Sequence, residues 1–238
     1  MKTVLITGGS RGIGKAMVEL FADKGYNVAF TYKESSDASI DLSNKTGALA
    51  IRADSLKEDD IRKAVDTVCE KFGNIDVLIN NAAVSSFGTL RDISLDEWNR
   101  VLGTTLTGAY LYSKYAISGM IDKKCGRIIN ISSMWGVVGA SCEVHYSAAK
   151  AGLIGFTKAL AKELGPSGIT VNAISAGLID TDMNKSLSED DLASICDETP
   201  VMRMGNADEI ARCALFLADD SSGFITGEIM NVSGGFIV

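Results

Sequence analysis

Short apolar runs alternate with helical patterns along the whole chain, and this alternation restricts the fold more than any other feature. Seven runs are rich in Val, Ile and Leu without strict polar alternation, at residues 3–7, 27–32, 48–53, 75–80, 127–132, 170–175 and 229–232. Strands buried on both faces of a parallel sheet have this composition. The pattern predicts a single α/β domain over 1–238, with a doubly wound parallel sheet of about seven strands and helices on both faces.

The segments between these runs repeat apolar residues every three or four positions, as amphipathic helices do. Helices are predicted at 15–24, after Ser55, at 95–120, at 147–164 and at 208–217. The exception is the polar stretch 177–206, which shows no strong period. Loops of this length in a compact domain are usually lids or binding loops, so we expect a substrate loop there.

Composition excludes several classes of protein. The 238 residues carry a net charge of −7, the opposite sign to a general nucleic-acid binder. No apolar run is long enough to span a membrane, and the run at the N-terminus is too short for a signal peptide. Five scattered cysteines without a CxxC pair predict reduced thiols in a cytoplasmic protein. A single histidine, His145, argues against a multi-histidine metal site, and we interpret it as an ordinary helix-end residue.

The first strand runs into a glycine-rich turn that contains Thr7, Gly8, Gly12 and Gly14. This is the first βα junction, where open α/β sheets bind phosphates, and it predicts a Rossmann-type nucleotide site. A P-loop is the first alternative, but Ala16 lacks the hydroxyl that a P-loop offers to Mg²⁺. A tight turn without a ligand is the second. The predicted cofactor contacts in the turn are Gly8, Ser10, Arg11, Gly12, Ile13 and Gly14.

The end of the second run indicates which dinucleotide binds. A ribose 2′-hydroxyl requires a carboxylate there, whereas a 2′-phosphate requires cations. The run ends in Tyr32 and Lys33, and the first acid, Glu34, lies beyond it. Because Lys33 and Arg11 can pair with a phosphate, we predict NADP(H) rather than NAD.

Tyr146 and Lys150 stand four residues apart on a predicted helix, which places them on one face. A neighbouring ammonium lowers the pKa of a tyrosine, so we expect Lys150 to make Tyr146 a better acid. The pair alone is weak support for an active site, since many unrelated helices carry it. Ser133 strengthens it, because it follows a buried run at the sheet edge where ligands bind.

Through the glycine turn, Ser133, Tyr146 and Lys150, the whole chain resembles the short-chain dehydrogenase/reductase family. Within this family it is most similar to the branch that reduces 3-oxoacyl thioesters in fatty-acid synthesis. The resemblance implies that Tyr146 donates a proton to a carbonyl oxygen, that Ser133 binds this oxygen and that Lys150 also binds the nicotinamide ribose. It further implies cofactor contacts from Asp54, Asn81, Ala82, Ile179 and Thr181, and from Tyr146 itself.

Three positions depart from the family pattern, at Ala83, Thr105 and Ala176. Thr105 stands where the family has an asparagine that holds a water of the proton relay. We therefore count Thr105 among the candidate catalytic residues and expect Thr105→Asn to raise turnover.

The resemblance implies a carrier-bound or small-molecule acyl substrate and a homotetramer, or a homodimer, joined by the long helices and the apolar C-terminus 235–238. An acidic carrier protein requires a local basic patch, for which Lys123, Lys124 and Arg127 are candidates, although Ser167 occupies a second expected basic position. Two alternatives stay open. One is a dehydrogenase for another alcohol or ketone, such as a sugar, a steroid or acetoacetyl-coenzyme A. The other is a non-catalytic NADP-binding protein.

Overall fold

Parallel strands form one sheet in the computed structural model, which describes residues 1–184 and 187–237. The strands found there are β1 Thr3–Ile6, β2 Asn27–Tyr32, β3 Leu49–Arg52, β4 Val77–Asn80, β5 Gly126–Ser133, β6 Ile169–Ala176 and β7 Ile229–Val232. Their order is β3-β2-β1-β4-β5-β6-β7, and every neighbouring pair is parallel. The predicted doubly wound sheet is confirmed. Three residues of the predicted loop and C-terminus, Lys185, Ser186 and Val238, lie outside the described residues.

The helices are α1 Gly12–Asp23, α2 Ser36–Thr46, α3 Glu58–Phe72, α4 Leu95–Leu102, α5 Gly108–Lys123, α6 Trp135–Val138, α7 Val144–Leu164, α8 Glu189–Asp197 and α9 Ala207–Ala218. The helix predicted at 95–120 is α4 and α5 joined by a π-helical turn at Gly103–Thr107. The stretch 177–206, predicted as irregular, contains α8. This helix begins with a capping box between Ser188 and Asp191. It fully buries none of its residues, and its short apolar stripe of Leu192, Ile195 and Cys196 is only partly buried.

The inner strands and β2 bury both faces, which explains why their sequences do not alternate, whereas the edge strands β3 and β7 are partly exposed. In β1, Val4 and Ile6 pack into one core with α1 and α9, whereas Leu5 packs into a second core with α3 and α5. From β1 the chain adds strands first on one side of the sheet, β2 and β3, and then on the other, from β4 onwards. The loop after β1 and the loop after β4 therefore lead away to opposite sides. A crevice therefore opens at the carboxyl ends of these strands. Within the described ranges, no helix has the length and apolar character that crossing a membrane requires.

Candidate active site

Two connected cavities occupy this edge of the sheet. The catalytic cavity, as we name the larger, has a volume of about 600 Å³ and is lined by Ser133, Tyr146 and Lys150. The glycine cavity has a volume of about 410 Å³ and is lined by the turn after β1. Both share lining residues, among them Arg11, Ile13, Asn81 and Thr181. One continuous crevice thus joins the two predicted halves of the site.

The glycine turn is closely packed. A Cβ on Gly14 would lie 2.2 Å from the carbonyl oxygen of Gly8 and 2.8 Å from the Asn81 side chain. Gly8 and Gly12 have φ values of +65° and +52°, which favour glycine. The first backbone N–H groups of α1 have no intrahelical partner, so this helix end favours an anion.

Thr7 and Asn81 fasten the turn to the end of β4. The Thr7 hydroxyl accepts hydrogen bonds from the backbone N–H groups of Asn81 and Ala82, both at 2.9 Å. The Asn81 side chain donates to the carbonyl oxygens of Thr7 and Gly8 at 2.9 and 3.0 Å. Asn81 lines both cavities as predicted, and it also holds the turn, a role that the sequence did not indicate.

At the end of β2, the cation predicted to meet a phosphate is already paired. The Lys33 Nζ lies 3.3 Å from Asp54 Oδ2 and 3.9 Å from Glu34 Oε1. All three residues line the glycine cavity, together with Ser10 and Arg11. A ligand phosphate at this end would therefore compete with two carboxylates for Lys33. Arg11 lines both cavities, so a ligand in either cavity can reach its guanidinium.

The three predicted catalytic side chains meet in the catalytic cavity because β5 ends at Ser133 and the first two turns of α7 pass over this end. All three are buried. The Lys150 Nζ donates to the carbonyl oxygen of Ile131 at 2.7 Å and lies 5.5 Å from the centre of the Tyr146 ring. The Ser132 hydroxyl donates to the Lys150 carbonyl at 3.0 Å, which ties α7 to β5.

Burial controls the electrostatics of this group. It raises the pKa of Tyr146, the Glu143 carboxylate raises it further, and hydrogen bonding to Ser133 lowers it. Burial also lowers the pKa of Lys150 to about 7. No effect of Lys150 accompanies these shifts of the Tyr146 pKa, so a lowering of this pKa by Lys150 stays a prediction. Lys150 directs its amine to Ile131, and both side chains favour their neutral forms in the same dry wall.

Of the remaining predicted site residues, some line a cavity and one does not. Ile179 and Thr181 line the catalytic cavity, as do the divergent residues Ala83 and Ala176. Thr105 does not line either cavity. It is buried in the π-helical turn, and its hydroxyl has no hydrogen-bond partner among the described residues.

The predicted basic patch lies at the wrong edge of the sheet to serve the catalytic cavity of the same chain. Lys123 pairs with Asp76 at 3.1 Å, and the buried Arg127 lies 3.6 Å from Asp220. Arg127 is at the amino end of β5 and Ser133 at its carboxyl end. Six residue steps along this strand separate the two by roughly 20 Å.

Sequence reasoning missed a polar cluster beside Tyr146. His145, interpreted as a helix-end residue, is fully buried, and its Nε2 lies 2.8 Å from the Ser86 hydroxyl. The Ser86 hydroxyl also donates to Glu97, and Arg100 holds this carboxylate with bonds of 2.7 and 2.6 Å. Arg100 lines both cavities. The sequence signals were weak: His145 precedes Tyr146 and Ser86 follows Asn81 by five residues, whereas Glu97 and Arg100 lie apart on α4.

Comparisons with known proteins agree with this geometry. The family model described as "Enoyl-(Acyl carrier protein) reductase" matches residues 8–237. The 3-oxoacyl-(acyl-carrier-protein) reductase of Salmonella typhimurium is 39% identical over 236 residues, covering 98% of this chain and 96% of the relative. The enzymes of the same name from Vibrio harveyi and Chlamydia muridarum are 40% and 41% identical, with the same coverage.

Proposed function

The chain belongs to the short-chain dehydrogenase/reductase family, and from this premise we propose that it reduces the 3-oxo group of an acyl thioester with NADPH, as a 3-oxoacyl-(acyl-carrier-protein) reductase of fatty-acid biosynthesis. One observation carries the proposal. Ser133, Tyr146 and Lys150 are brought together, buried, in a cavity that continues into the glycine turn.

The family model is described as an enoyl reductase, whereas the relatives are 3-oxoacyl reductases. The side chains of the catalytic cavity favour reduction of a 3-oxo group over reduction of an enoyl double bond. Two hydroxyls, of Ser133 and Tyr146, lie together where a carbonyl oxygen can accept from both. Reduction of a carbonyl develops negative charge on this oxygen, so the two donors stabilise the transition state more than the ground state.

The residues of the crevice fit a nicotinamide dinucleotide, because the glycine turn leaves no room for a Cβ at Gly14 and the end of α1 favours a phosphate. Glycine-turn residues 8–14, Asn81, Ala82 and Thr181 would hold it, with Asp54 and Lys33 at the adenosine end. When bound, NADPH supplies the hydride for the carbonyl carbon. We prefer NADPH to NADH because Arg11 lines the glycine cavity and can pair with a 2′-phosphate, and because such a phosphate could also draw Lys33 from its pairs with Asp54 and Glu34.

The proton comes from Tyr146. The phenol carries its proton at neutral pH, as an ordinary tyrosine does, and its hydrogen bond to Ser133 lowers its pKa against the effect of burial, which makes this proton easier to donate to the carbonyl oxygen. Ser133 orients this oxygen by donating a hydrogen bond. Lys150, fixed by Ile131, is the amine that would meet the ribose hydroxyls and return a proton to Tyr146.

The proposal extends to assembly and location. We propose a homotetramer or homodimer, since Tyr110 and Ile121 on α5 and the fully exposed Phe224 present apolar surface to solvent. The cysteines are free, which fits a cytoplasmic protein. An acyl-carrier or coenzyme A thioester would enter the catalytic cavity without help from Lys123 or Arg127 of the same chain.

Steady-state assays of the purified chain test the function. Acetoacetyl-coenzyme A should be reduced with NADPH, and more slowly with NADH, as followed by nicotinamide absorbance. Faster consumption with crotonyl-coenzyme A would favour enoyl reduction, and faster consumption with a sugar ketone or a steroid would favour another dehydrogenase. Absence of turnover with the whole panel, despite NADPH binding, would favour a non-catalytic protein.

Replacing Gly14 by alanine should weaken NADPH binding by about ten- to a hundredfold, because overpacking against Gly8 costs about 1–3 kcal/mol. Fluorescence titration measures this affinity. Gly155→Ala is the matched control, since a Cβ at this position of α7 meets nothing within 4 Å. Unchanged NADPH affinity in Gly14→Ala would show that the turn does not hold the cofactor.

Thr105→Asn should raise turnover severalfold if this position supports the proton relay, because an amide offers a water both a donor and an acceptor. Thr105→Val is the companion variant. It should lower turnover, yet it should not destabilise the protein, because the buried hydroxyl it removes has no partner among the described residues. Steady-state kinetics and urea unfolding measure both effects. Equal turnover in all three proteins would exclude a relay through this position.

A further inference from the structure

The wall of the catalytic cavity contains a large aromatic side chain that the proposed function does not use. Trp135 is the first residue of the short helix α6, is half-buried and lines the cavity. Its backbone N–H donates a hydrogen bond of 3.2 Å to the Ser133 hydroxyl. Because Ser133 binds the carbonyl oxygen in the proposed function, the indole lies close to the group that reacts.

Close packing fixes α6 on the catalytic helix. A Cβ on Gly136, the residue after Trp135, would lie 2.7 Å from the carbonyl carbon of Lys150 and 2.8 Å from the Lys150 Cβ. Only a glycine therefore lets α6 lie directly on α7 at this position. The backbone of Trp135 is thus held at a constant distance from Tyr146 and Lys150.

The indole ring is held by a second aromatic ring. Phe236, near the C-terminus, meets Trp135 edge to face, with ring centres 5.5 Å apart and planes at 90°. Such a pair is favourable beyond the area it buries. The segment of Phe236 is fixed in turn, because its N–H donates to the carbonyl oxygen of Ser233 at 3.2 Å and a Cβ on Gly235 would lie 2.8 Å from the Pro200 ring. The orientation of the indole is therefore set from both sides.

Trp135 closes the catalytic cavity on the side of Phe236. Phe236 is not one of the described residues that line the cavity, although its ring contacts the indole. The indole therefore separates the cavity from Phe236. Phe87 and Ser141 also line the cavity and are exposed, so the cavity reaches solvent at these residues.

The chemistry of a 3-oxoacyl thioester decides which part of it meets the indole. Two arms extend from its 3-oxo carbon. The thioester arm continues into coenzyme A or a carrier protein, so it must leave the cavity towards solvent. The alkyl arm ends freely, and it is the arm that can face a closed, apolar wall. The alkyl chain therefore points at Trp135.

We propose that Trp135, held in place by Phe236, limits the length of the acyl chain, so that among 3-oxoacyl thioesters the protein prefers those with short alkyl chains. This rests on the proposed function and narrows its substrate class. Trp135 is a specificity-determining residue. Phe236 acts through Trp135 and is a positioning residue.

Trp135→Ala tests the proposal, because it removes the indole from the closed side of the cavity. The quantity measured is kcat/KM with NADPH for acetoacetyl-coenzyme A and for the longer 3-oxooctanoyl-coenzyme A. The wild type should use the longer substrate less well. In Trp135→Ala the ratio of the longer to the shorter should rise by about tenfold, since each methylene that gains apolar room contributes roughly fourfold. Trp98→Ala, the same truncation at a residue of α4 that lines neither cavity, should leave the ratio unchanged.

Phe236→Ala is an independent variant, because it keeps the indole and removes the ring that holds it. The same ratio should rise, by less than in Trp135→Ala, while kcat for acetoacetyl-coenzyme A stays near that of the wild type. Trp135→Phe keeps an aromatic ring at the wall and should retain the preference for the short substrate. A merely structural role would lower kcat/KM for both substrates alike, and that result would contradict the proposal.

Two further results would overturn the proposal. One is a wild type that reduces 3-oxooctanoyl-coenzyme A as well as acetoacetyl-coenzyme A. The other is an unchanged ratio in Trp135→Ala. Should Trp135→Ala fail to fold, an unchanged ratio in Phe236→Ala decides the question in the same way.

Tryptophan fluorescence separates this proposal from the proposed function. The chain has two tryptophans, so Trp98→Phe leaves Trp135 as the single reporter. Butyryl-coenzyme A should change its emission in the presence of NADP⁺, and octanoyl-coenzyme A should bind more weakly. This difference in a protein without reductase activity would support chain selection by Trp135 while rejecting the proposed function. Equal affinity for the two thioesters would reject chain selection.

Discussion

Tyr146→Phe is expected to lower kcat for acetoacetyl-coenzyme A reduction by about 10²- to 10⁴-fold, the usual contribution of a general acid. The substitution removes only the hydroxyl, and the ring keeps its packing against Val101 and Ala149. NADPH affinity should change little, because Tyr146 lines the catalytic cavity and not the glycine cavity. Single-turnover kinetics and fluorescence titration measure the two quantities.

Tyr112→Phe is the matched control for this variant. Tyr112 is a second buried tyrosine, on α5, and it lines neither of the two cavities. The kcat of Tyr112→Phe should stay close to that of the wild type. A comparable loss in both variants would mean that Tyr146 acts through folding rather than as the proton donor.

Lys150→Met is expected to abolish most turnover and yet to stabilise the cofactor-free protein at pH 7. Burial lowers the pKa of Lys150 from 10.5 to about 7, which corresponds to a cost of about 5 kcal/mol at this pH. Losing the hydrogen bond to Ile131 offsets about 1–3 kcal/mol of this. The variant should therefore gain about 2–4 kcal/mol in the free energy of unfolding.

The pH dependence of this gain follows from the lowered pKa of Lys150. The unfolded chain binds more protons than the folded one between the folded pKa of about 7 and the unfolded value of 10.5. Wild-type stability from this residue therefore rises with pH across this window, and the advantage of Lys150→Met should shrink. Urea unfolding near both ends of the window measures it. Lys158→Met, exposed on the same helix, should show no such trend. A pH-independent difference would contradict the account of Lys150.

The sequence predicted the sheet well because its strands are buried on both faces, so Val, Ile and Leu mark each one directly. It missed α2 and α8 because their apolar stripes are short, with only Ser39 and Leu42 buried in α2 and no residue fully buried in α8. The π-helical turn at Gly103–Thr107 was also missed, since one extra residue in a turn barely disturbs the apolar period across α4 and α5.

The candidate site was predictable where a motif sits at a strand end. Ser133, Tyr146, Lys150 and the glycine turn lie in one crevice because parallel strands bring their carboxyl ends together. Charge and burial were not predictable in the same way. The pKa of Tyr146 depends on desolvation and on Glu143, and the burial of His145 depends on the loop after β4. The position of the predicted basic patch was not predictable either, because Arg127 and Ser133 lie at opposite ends of β5; its role in carrier docking stays a prediction.

Transfer of deuterium from NADPH labelled at the transferable position of its nicotinamide ring tests the central claim most directly. Acetoacetyl-coenzyme A and crotonyl-coenzyme A are supplied together, and the acyl products are analysed by mass spectrometry. We predict 3-hydroxybutyryl-coenzyme A with one deuterium on the carbon that bears the new hydroxyl, and its loss in Tyr146→Phe. Deuterium in a saturated butyryl product, or an unlabelled hydroxy product, would contradict the assignment of this site to carbonyl reduction.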